Sequence, residues 1–313
     1  MNRPPLLRNL LCVLLFSCGS SQAIENTPLN IAPEEEEQAI SNAGQNTLNA
    51  LMEKFKPDIF NLAPELYTDE HVIITPNSDY NAFADIPQKV IIIPFAFVEE
   101  IYLQAQALFQ INDEHRDPAE LQRYLQYMAQ TYNDKLRGNP QPVKAFWYWA
   151  NIKPPCCDNA EHQKKSLSRI SSFMYESLAF PLAHEIAHVI FAHKASRDTT
   201  PAVSREQELE ADNFAVYLLE KHNIDVDAFL HSGFFRFALI EANGRTDLSK
   251  SSTHPSAACR YERLTRPIFK RIANSPEQQK DFNQHSTLPF NEAVRYFKKV
   301  RSNCDRDNLY IPA

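Results

Sequence analysis

The stretch Leu178–His193 reads LAFPLAHEIAHVIFAH and holds the pattern His184-Glu185-x-x-His188 inside an otherwise apolar run. On an α-helix, residues four apart lie on one face about one turn apart, so both imidazoles can point at one metal ion. Zinc chemistry needs such nitrogen ligands with a carboxylate beside them to take a proton from water. The same spacing occurs in ordinary buried or surface helices, so the prediction of a metal site depends on a third ligand.

A candidate for that third ligand lies in the segment 204–219, SREQELEADNFAVYLL. Its apolar residues recur at helical spacing, and Glu208 and Asp212 share one face beside the apolar one. Glu208 is therefore predicted to complete the metal site, and Asp212 to orient a ligand histidine through a hydrogen bond. The alternative is an acidic, solvated helix face, which suits the neighbouring Glu206 and Glu210.

Apolar spacing and turn residues predict the remaining elements. Helices are expected at about 33–56, 95–110, 118–133, 225–242, 255–272 and 291–302, and strands at 72–75 and 89–93. Ser204 and Gln207 form a capping-box pattern, which predicts that the Glu208 helix begins there. Pro181 is expected either to start a new helix or to kink the one that carries His184, because proline removes a helical hydrogen bond.

Four landmarks of the chain stand in the order found in a known group of enzymes. They are Asn81–Ala84 (NAFA), Ala183–Val189 (AHEIAHV), Ser204–Asp212 (SREQELEAD), and Thr253-His254-Pro255 followed by Arg260 and Arg263. Together they resemble the gluzincin metallopeptidases of the prenyl-protease, HtpX and BepA group. The resemblance covers roughly residues 70 to 265.

The resemblance implies an α+β, mostly helical zincin (gluzincin) catalytic domain with a small β-sheet and one Zn²⁺ per chain. The implied zinc ligands are His184, His188 and Glu208. Glu185 would be the catalytic base, and Asp212 would have the role assigned to a proton donor. An edge strand near Asn81–Ala84 would pair with an extended substrate backbone. A plain hairpin packed on the core is the alternative for that strand.

His254 lies in the predicted loop 251–255 and is a candidate to hydrogen-bond the oxyanion or the substrate. The alternative is that it caps the helix predicted at 255–272. Three further histidines are interpreted as non-ligands, namely His193, His222 and His231.

Residues 113–165 depart from the resemblance, because the gap between the NAFA strand and the metal helix is longer than is usual there. This insertion contains the aromatic cluster Phe146–Trp149. Such a cluster is typical of a protein core, and the alternative is a lid or a partner site.

The chain has 313 residues, and its net charge of −7 gives no indication of nucleic-acid binding. Residues 1–23 are predicted to be a signal peptide, because Arg3 and Arg8 precede a short apolar segment and Ser21-Gln22-Ala23 is typical of a cleavage site. Residues 24–313 are predicted to form a single metallopeptidase domain. The protein is therefore expected to be exported, either periplasmic or secreted.

A second interpretation of the N-terminal segment is a lipobox at residues 15–19, with Cys18 as the lipidated residue. The protein would then be a membrane-anchored lipoprotein. Membrane association is expected only in that case, because no later segment is apolar for long enough to cross a bilayer.

Four cysteines follow the predicted signal peptide, at Cys156, Cys157, Cys259 and Cys304. In an exported protein they predict disulfides. Adjacent cysteines seldom pair with each other, so Cys156 and Cys157 are expected to reach Cys259 and Cys304, in an order that the sequence leaves open. A zinc site at Cys156 and Cys157 lacks the spacing of structural zinc sites.

The predicted function is that of a zinc-dependent endopeptidase acting on protein or peptide substrates, by resemblance misfolded or envelope proteins. One alternative is a periplasmic chaperone-like or regulatory binding protein whose zinc site is occluded by the insertion and weakly active. A third possibility is an exported helical protein in which the motifs coincide, and it predicts no bound zinc.

Overall fold

A computed structural model of the protein describes residues 33–67, 71–76, 81–117, 119–136, 142–152, 160–195, 198–224, 257–285 and 290–306. The described elements are α1 (Pro33–Ile59), a 3₁₀ helix (Pro64–Tyr67), β1 (Val72–Thr75), β2 (Phe83–Asp85), β3 (Val90–Pro94), α2 (Phe95–Asp113), α3 (Ala119–Leu136), α4 (Phe146–Trp149), α5 (Ala160–Ile190), α6 (Pro201–Lys221), α7 (Ala257–Ala273), α8 (Pro276–His285) and α9 (Phe290–Arg306). The predicted α+β, mostly helical fold with a small sheet is confirmed. The predicted signal peptide, the helix at 225–242 and His254 lie outside the described residues.

The sheet has the order β1-β3-β2. β1 runs parallel to β3, with Val72 opposite Ile91, and β2 runs antiparallel to β3, with Phe83 opposite Ile92. β2 is thus an edge strand of the described sheet, and it also contacts α5. The strand predicted near Asn81–Ala84 is confirmed at Phe83–Asp85. It forms the hairpin of the alternative interpretation and also lies beside the helix of the candidate site.

The central element of the fold is α5, which packs against α1, α2, α6 and the strands β2 and β3. Most residues of its second half are apolar and buried, as expected for a helix surrounded by other elements. Its residues with 1% exposure or less include Leu178, Ala179, Phe180, Leu182, Ala183, Ile186 and Ala187. The His184–His188 motif is therefore held on a helix whose neighbouring residues are buried.

Pro181 lies inside α5, which continues as one helix from Ala160 to Ile190. The expectation that a new helix starts at Pro181 is wrong. Proline in a helix interior costs about 3 kcal/mol. Burial of the neighbouring side chains Phe180 and Leu182 offsets that cost, because the helix cannot be interrupted without exposing them.

The N-cap of the helix that carries Glu208 lies four residues earlier than the capping-box pattern predicted. Thr200 is its N-cap, and the Thr200 side chain accepts a hydrogen bond from the backbone N–H of Val203. Pro201 follows at the first helical position, where its missing N–H costs nothing. Ser204 is a buried residue inside the helix, so the prediction that it caps the helix is wrong.

The three C-terminal helices contact one another in sequence order, and α7 is linked to α9 by a disulfide between Cys259 and Cys304. The expected pairing of these two cysteines with Cys156 and Cys157 is therefore wrong. Cys156 and Cys157 lie outside the described residues. The close packing of α7 on α9 brings Cys259 and Cys304 together, with their Cα atoms 5.9 Å apart.

The aromatic cluster of the insertion is core in part: Phe146 is buried, and Trp149 packs against the core while partly exposed. Phe146 is fully buried and packs against Tyr124 and Trp149, at centroid distances of 5.3 and 5.9 Å. Tyr148 is exposed instead. Of the helices in the described ranges, none is both long and apolar enough to cross a membrane.

Candidate metal centre

Three side chains from two helices converge on one point. His184 and His188 come from α5 and Glu208 from α6, and one ligand atom of each lies within 4.8 Å of the others. The two Nε2 atoms are 3.0 Å apart. Oε2 of Glu208 lies 3.4 Å from Nε2 of His184, and its other oxygen, Oε1, lies 3.6 Å from Nε2 of His188. These are the three residues that the sequence singled out as ligands.

The spacing of these atoms fits a small tetrahedral ion. Zinc bound at about 2.0–2.1 Å would separate its ligand atoms by about 3.3–3.4 Å, which is close to the three separations given above. Two imidazole nitrogens and a carboxylate oxygen are also the donor types that zinc prefers. The three side chains present therefore fit a zinc ion.

The pKa values of the two histidines are shifted in opposite directions. Burial lowers the pKa of His184, but hydrogen bonds to Asp212 and Glu208 raise it to about 10. Burial and the neighbouring charge of His184 lower the pKa of His188 to about 3. The cluster is therefore arranged to share one positive charge, because the two facing nitrogens cannot both carry a proton.

An ion pair between Asp212 and Arg260 lies against the Nδ1 side of His184. Its Nδ1 lies 3.0 Å from Oδ1 of Asp212, whose side chain is 1% exposed. Arg260 on α7 donates to both oxygens of Asp212, at 2.5 and 3.0 Å, and its Nη1 lies 3.5 Å from Glu208. Burial raises the pKa of Asp212, but the larger combined effect of Arg260 and His184 lowers it. The pKa of Asp212 therefore lies below its usual value. Asp212 is thus ionised at neutral pH and is placed as the sequence predicted, against His184.

Glu185 is buried between α5 and the edge strand β2. Its carboxylate accepts a hydrogen bond from the backbone N–H of Ala84 in that strand. Burial raises the pKa of Glu185 to about 7, although the charges of His184 and Arg260 lower it. A carboxylate with a pKa near neutrality is suited to exchange protons with a substrate or a water molecule.

His188 is contacted by a second buried histidine. Its Nδ1 lies 2.8 Å from Nδ1 of His193, and Nε2 of His193 lies 3.2 Å from Glu210. His193 does not belong to the group that converges on the candidate metal position. No local sequence pattern indicates its contact with His188, because the turn after α5 folds His193 back against the helix.

Arg260 is the other residue whose place the sequence did not predict. It appeared only as part of a landmark, and its contact with Asp212 spans 48 residues of chain. A helix-spacing argument reaches only a few residues, so it finds Glu208 with Asp212 but not Arg260. No local pattern marks Arg260, a partly buried residue directly after Cys259.

Fold and site together define a helical α+β protein with a buried His-His-Glu cluster able to hold a metal ion. The family model described as Peptidase U49 matches residues 93–273, which is more than half of the chain. The chain therefore belongs to the Peptidase U49 family. The matched residues run from β3 to the end of α7 and include the whole cluster with Asp212 and Arg260. No curated protein and no solved structure matches the chain.

Proposed function

We propose that this peptidase is a zinc-dependent endopeptidase of the gluzincin type, with zinc held by His184, His188 and Glu208. The observation that carries the proposal is the convergence of these three donors beside a buried carboxylate, Glu185, whose pKa is raised to about 7. Membership of a peptidase family supports peptide-bond hydrolysis as the reaction.

Zinc bound there would supply a Lewis acid that polarises the scissile carbonyl and lowers the pKa of a water molecule. Glu185 takes the proton of that water and later delivers it to the leaving amine. Its buried position keeps its pKa close to neutrality, so it can both accept and release a proton. Asp212 keeps Nδ1 of His184 protonated and the ring in one orientation, and Arg260 keeps Asp212 ionised.

The substrate is proposed to be a protein or peptide in extended conformation. β2 is paired on only one side within the described sheet, and it lies against Glu185 through Ala84. An extended peptide can add to such an edge by backbone hydrogen bonds. Phe83, 40% exposed in the same strand, offers an apolar contact for a substrate side chain. Misfolded or envelope proteins in an exported compartment are the substrates that the sequence resemblance supports.

The test is to measure zinc content and cleavage of an unfolded protein with the wild type and Glu185→Gln. The exposed carboxylate Glu220 provides a matched control, Glu220→Gln. We expect about one zinc per chain in all three proteins and loss of cleavage only in Glu185→Gln. Bound zinc without cleavage by the wild type would favour a chaperone-like binding protein over an endopeptidase. Absence of zinc after reconstitution would overturn the metal site.

A further inference from the structure

We propose that His193 and Glu210 form a positioning relay for His188, fixing the ring that presents Nε2 to the metal. The inference rests on the proposed zinc site and deepens it. It gives a role to two residues that the sequence interpreted as a non-ligand and as part of a solvated acidic face. Neither residue would touch the metal or the substrate.

The backbone turn after α5 brings the His193 side chain into contact with His188. Ala192 has a φ of 50°, a left-handed conformation that is unfavourable for a residue with a Cβ atom. The backbone N–H of His193 donates to the carbonyl of His188 at 3.1 Å, and that of Ala192 donates to Val189 at 3.2 Å. This pair of backbone hydrogen bonds is typical of a Schellman turn, which reverses the chain at a helix end. The turn therefore returns the His193 side chain to the helix turn that carries His188.

The hydrogen-bond donors and acceptors of this contact have one consistent arrangement. A metal on Nε2 of His188 leaves its Nδ1 as the protonated nitrogen, so Nδ1 donates to Nδ1 of His193, 2.8 Å away. Nε2 of His193 must then carry the other proton, and it donates to Glu210, 3.2 Å away. The tautomer of His188 thus fixes the tautomer of His193. The hydrogen-bonded relay ends on the Glu210 carboxylate, a charged acceptor.

Burial distinguishes the two members of the relay. His193 is 5% exposed, so an unmatched nitrogen there could not readily turn to water instead. The side chain of Glu210 is 59% exposed, so water can replace part of its interaction with His193. We therefore expect removal of the imidazole to weaken metal binding strongly and removal of the carboxylate to weaken it less.

The experiment measures zinc affinity by competition with a coloured chelator, and the visible spectrum of the Co²⁺-substituted protein. His193→Phe keeps a ring but has no acceptor, and we expect zinc affinity to fall by about 10–100-fold, with a changed Co²⁺ spectrum. His193→Asn keeps an oxygen near the place of Nδ1 and should recover most of the affinity. Glu210→Ala should weaken zinc binding by about 10-fold, the low end of that range.

The matched control is Glu206→Ala, which removes another exposed carboxylate one turn earlier on α6 and should leave both readouts unchanged. His184→Ala should abolish zinc binding and so tests the proposed site separately. If the wild type binds zinc through His184 but His193→Phe keeps its affinity and spectrum, the relay is overturned while the zinc site stands. If the wild type binds no zinc, both proposals fail. Should His193→Phe not fold, the pair Glu210→Ala and Glu206→Ala decides, and equal affinities would overturn the relay.

Discussion

The two candidate ligands on α5 are supported by different chemistry. Behind His184 lies a buried ion pair, in which Asp212 is held at both oxygens by Arg260 from a distant helix. Behind His188 lies a neighbouring imidazole, His193, followed by a carboxylate at the surface. We call these the ion-pair flank (Asp212, Arg260) and the imidazole flank (His193, Glu210).

The two candidate ligands are thus oriented by contacts whose loss should affect folding stability to different extents. A buried ion pair tolerates the loss of neither partner, because the remaining charge stays in a medium that solvates it poorly. An imidazole whose far side reaches a solvated carboxylate leaves no buried charge when that carboxylate is removed. We therefore expect the ion-pair flank to govern folding stability together with metal binding, and the imidazole flank to act mainly on metal binding.

The strongest test of this difference is Asp212→Ala. It leaves the Arg260 guanidinium, which is only 17% exposed, without its main partner, and we expect a loss of about 3–5 kcal/mol in the free energy of unfolding. Glu210→Ala, on the imidazole flank, should cost less than about 1 kcal/mol. Urea denaturation of the metal-free proteins measures both values. Equal losses in the two variants would refute the distinction between the flanks.

The next test removes the covalent support of the ion-pair flank. Cys304→Ser opens the disulfide to Cys259, the residue before Arg260. A crosslink that closes a long loop contributes about 2–4 kcal/mol. We expect a loss of that size in the free energy of unfolding. We also expect weaker zinc binding, because the helix that carries Arg260 is no longer crosslinked to α9. Ser302→Ala, an exposed change on the same helix, is the control. Unchanged zinc affinity in Cys304→Ser would show that Arg260 does not depend on the disulfide.

A smaller effect is expected from Gly44→Ala, which lies far from either flank in the packing of α1. A Cβ atom at Gly44 would lie 2.6 Å from Cγ1 of Val98 and 2.9 Å from Ile74. Val98 is β-branched and stiff, so overpacking should outweigh the gain of about 1 kcal/mol in helix propensity. We predict a net loss of about 1–2 kcal/mol, with zinc affinity unchanged. Thermal unfolding measures it, with the exposed Asn46→Ala as control, and a more stable Gly44→Ala protein would contradict the prediction.

The smallest expected effect is at the far end of α6, where Asp58 accepts hydrogen bonds from Lys221 and His222. The bond from Lys221 is the main cause that lowers the pKa of Asp58. A lowered native pKa means that the carboxylate stabilises the fold above its unfolded pKa, about 3.9, and loses this contribution as the pH falls through the native value.

Asp58→Asn should therefore be less stable than the wild type at neutral pH, and the difference should shrink in acid. Unfolding measured at neutral pH and in acid detects this, with the exposed Glu53→Gln as the control on the same helix. Zinc binding at neutral pH should stay unchanged, because Asp58 contacts neither flank. A difference that grows in acid would give the wrong sign and reject the assignment.

The sequence predicted what depends on local spacing. His184 and His188 share a face because they are four residues apart, and Glu208 and Asp212 do so for the same reason. Two of the three strands, at 72–75 and 89–93, also followed from short apolar runs between turn residues, whereas the strand near Asn81–Ala84 followed from the family resemblance. Helices predicted at 95–110, 118–133 and 291–302 are confirmed, with ends that extend three or four residues further.

Contacts between distant segments, and helix ends for which two residues compete, were not predicted from the sequence. The pairing of Cys259 with Cys304 depends on how α7 packs on α9, and the argument that adjacent cysteines avoid each other says nothing about that packing. Ser204 has the chemistry of a cap, but Thr200 with Pro201 after it provides a better helix start earlier in the chain. The approach of His193 to His188 depends on one left-handed residue, Ala192, which is not glycine and so gave no turn signal.

The order of the site along the chain has a consequence for assembly. The three candidate ligands come from consecutive helices, so bringing them together closes only a short loop, whereas Arg260 joins Asp212 across 48 further residues. Contacts between segments close in sequence form faster than those that close long loops. We therefore expect a folding intermediate that already captures the metal while α7 is still undocked. Metal capture would then precede the docking of Arg260 and would help to guide it.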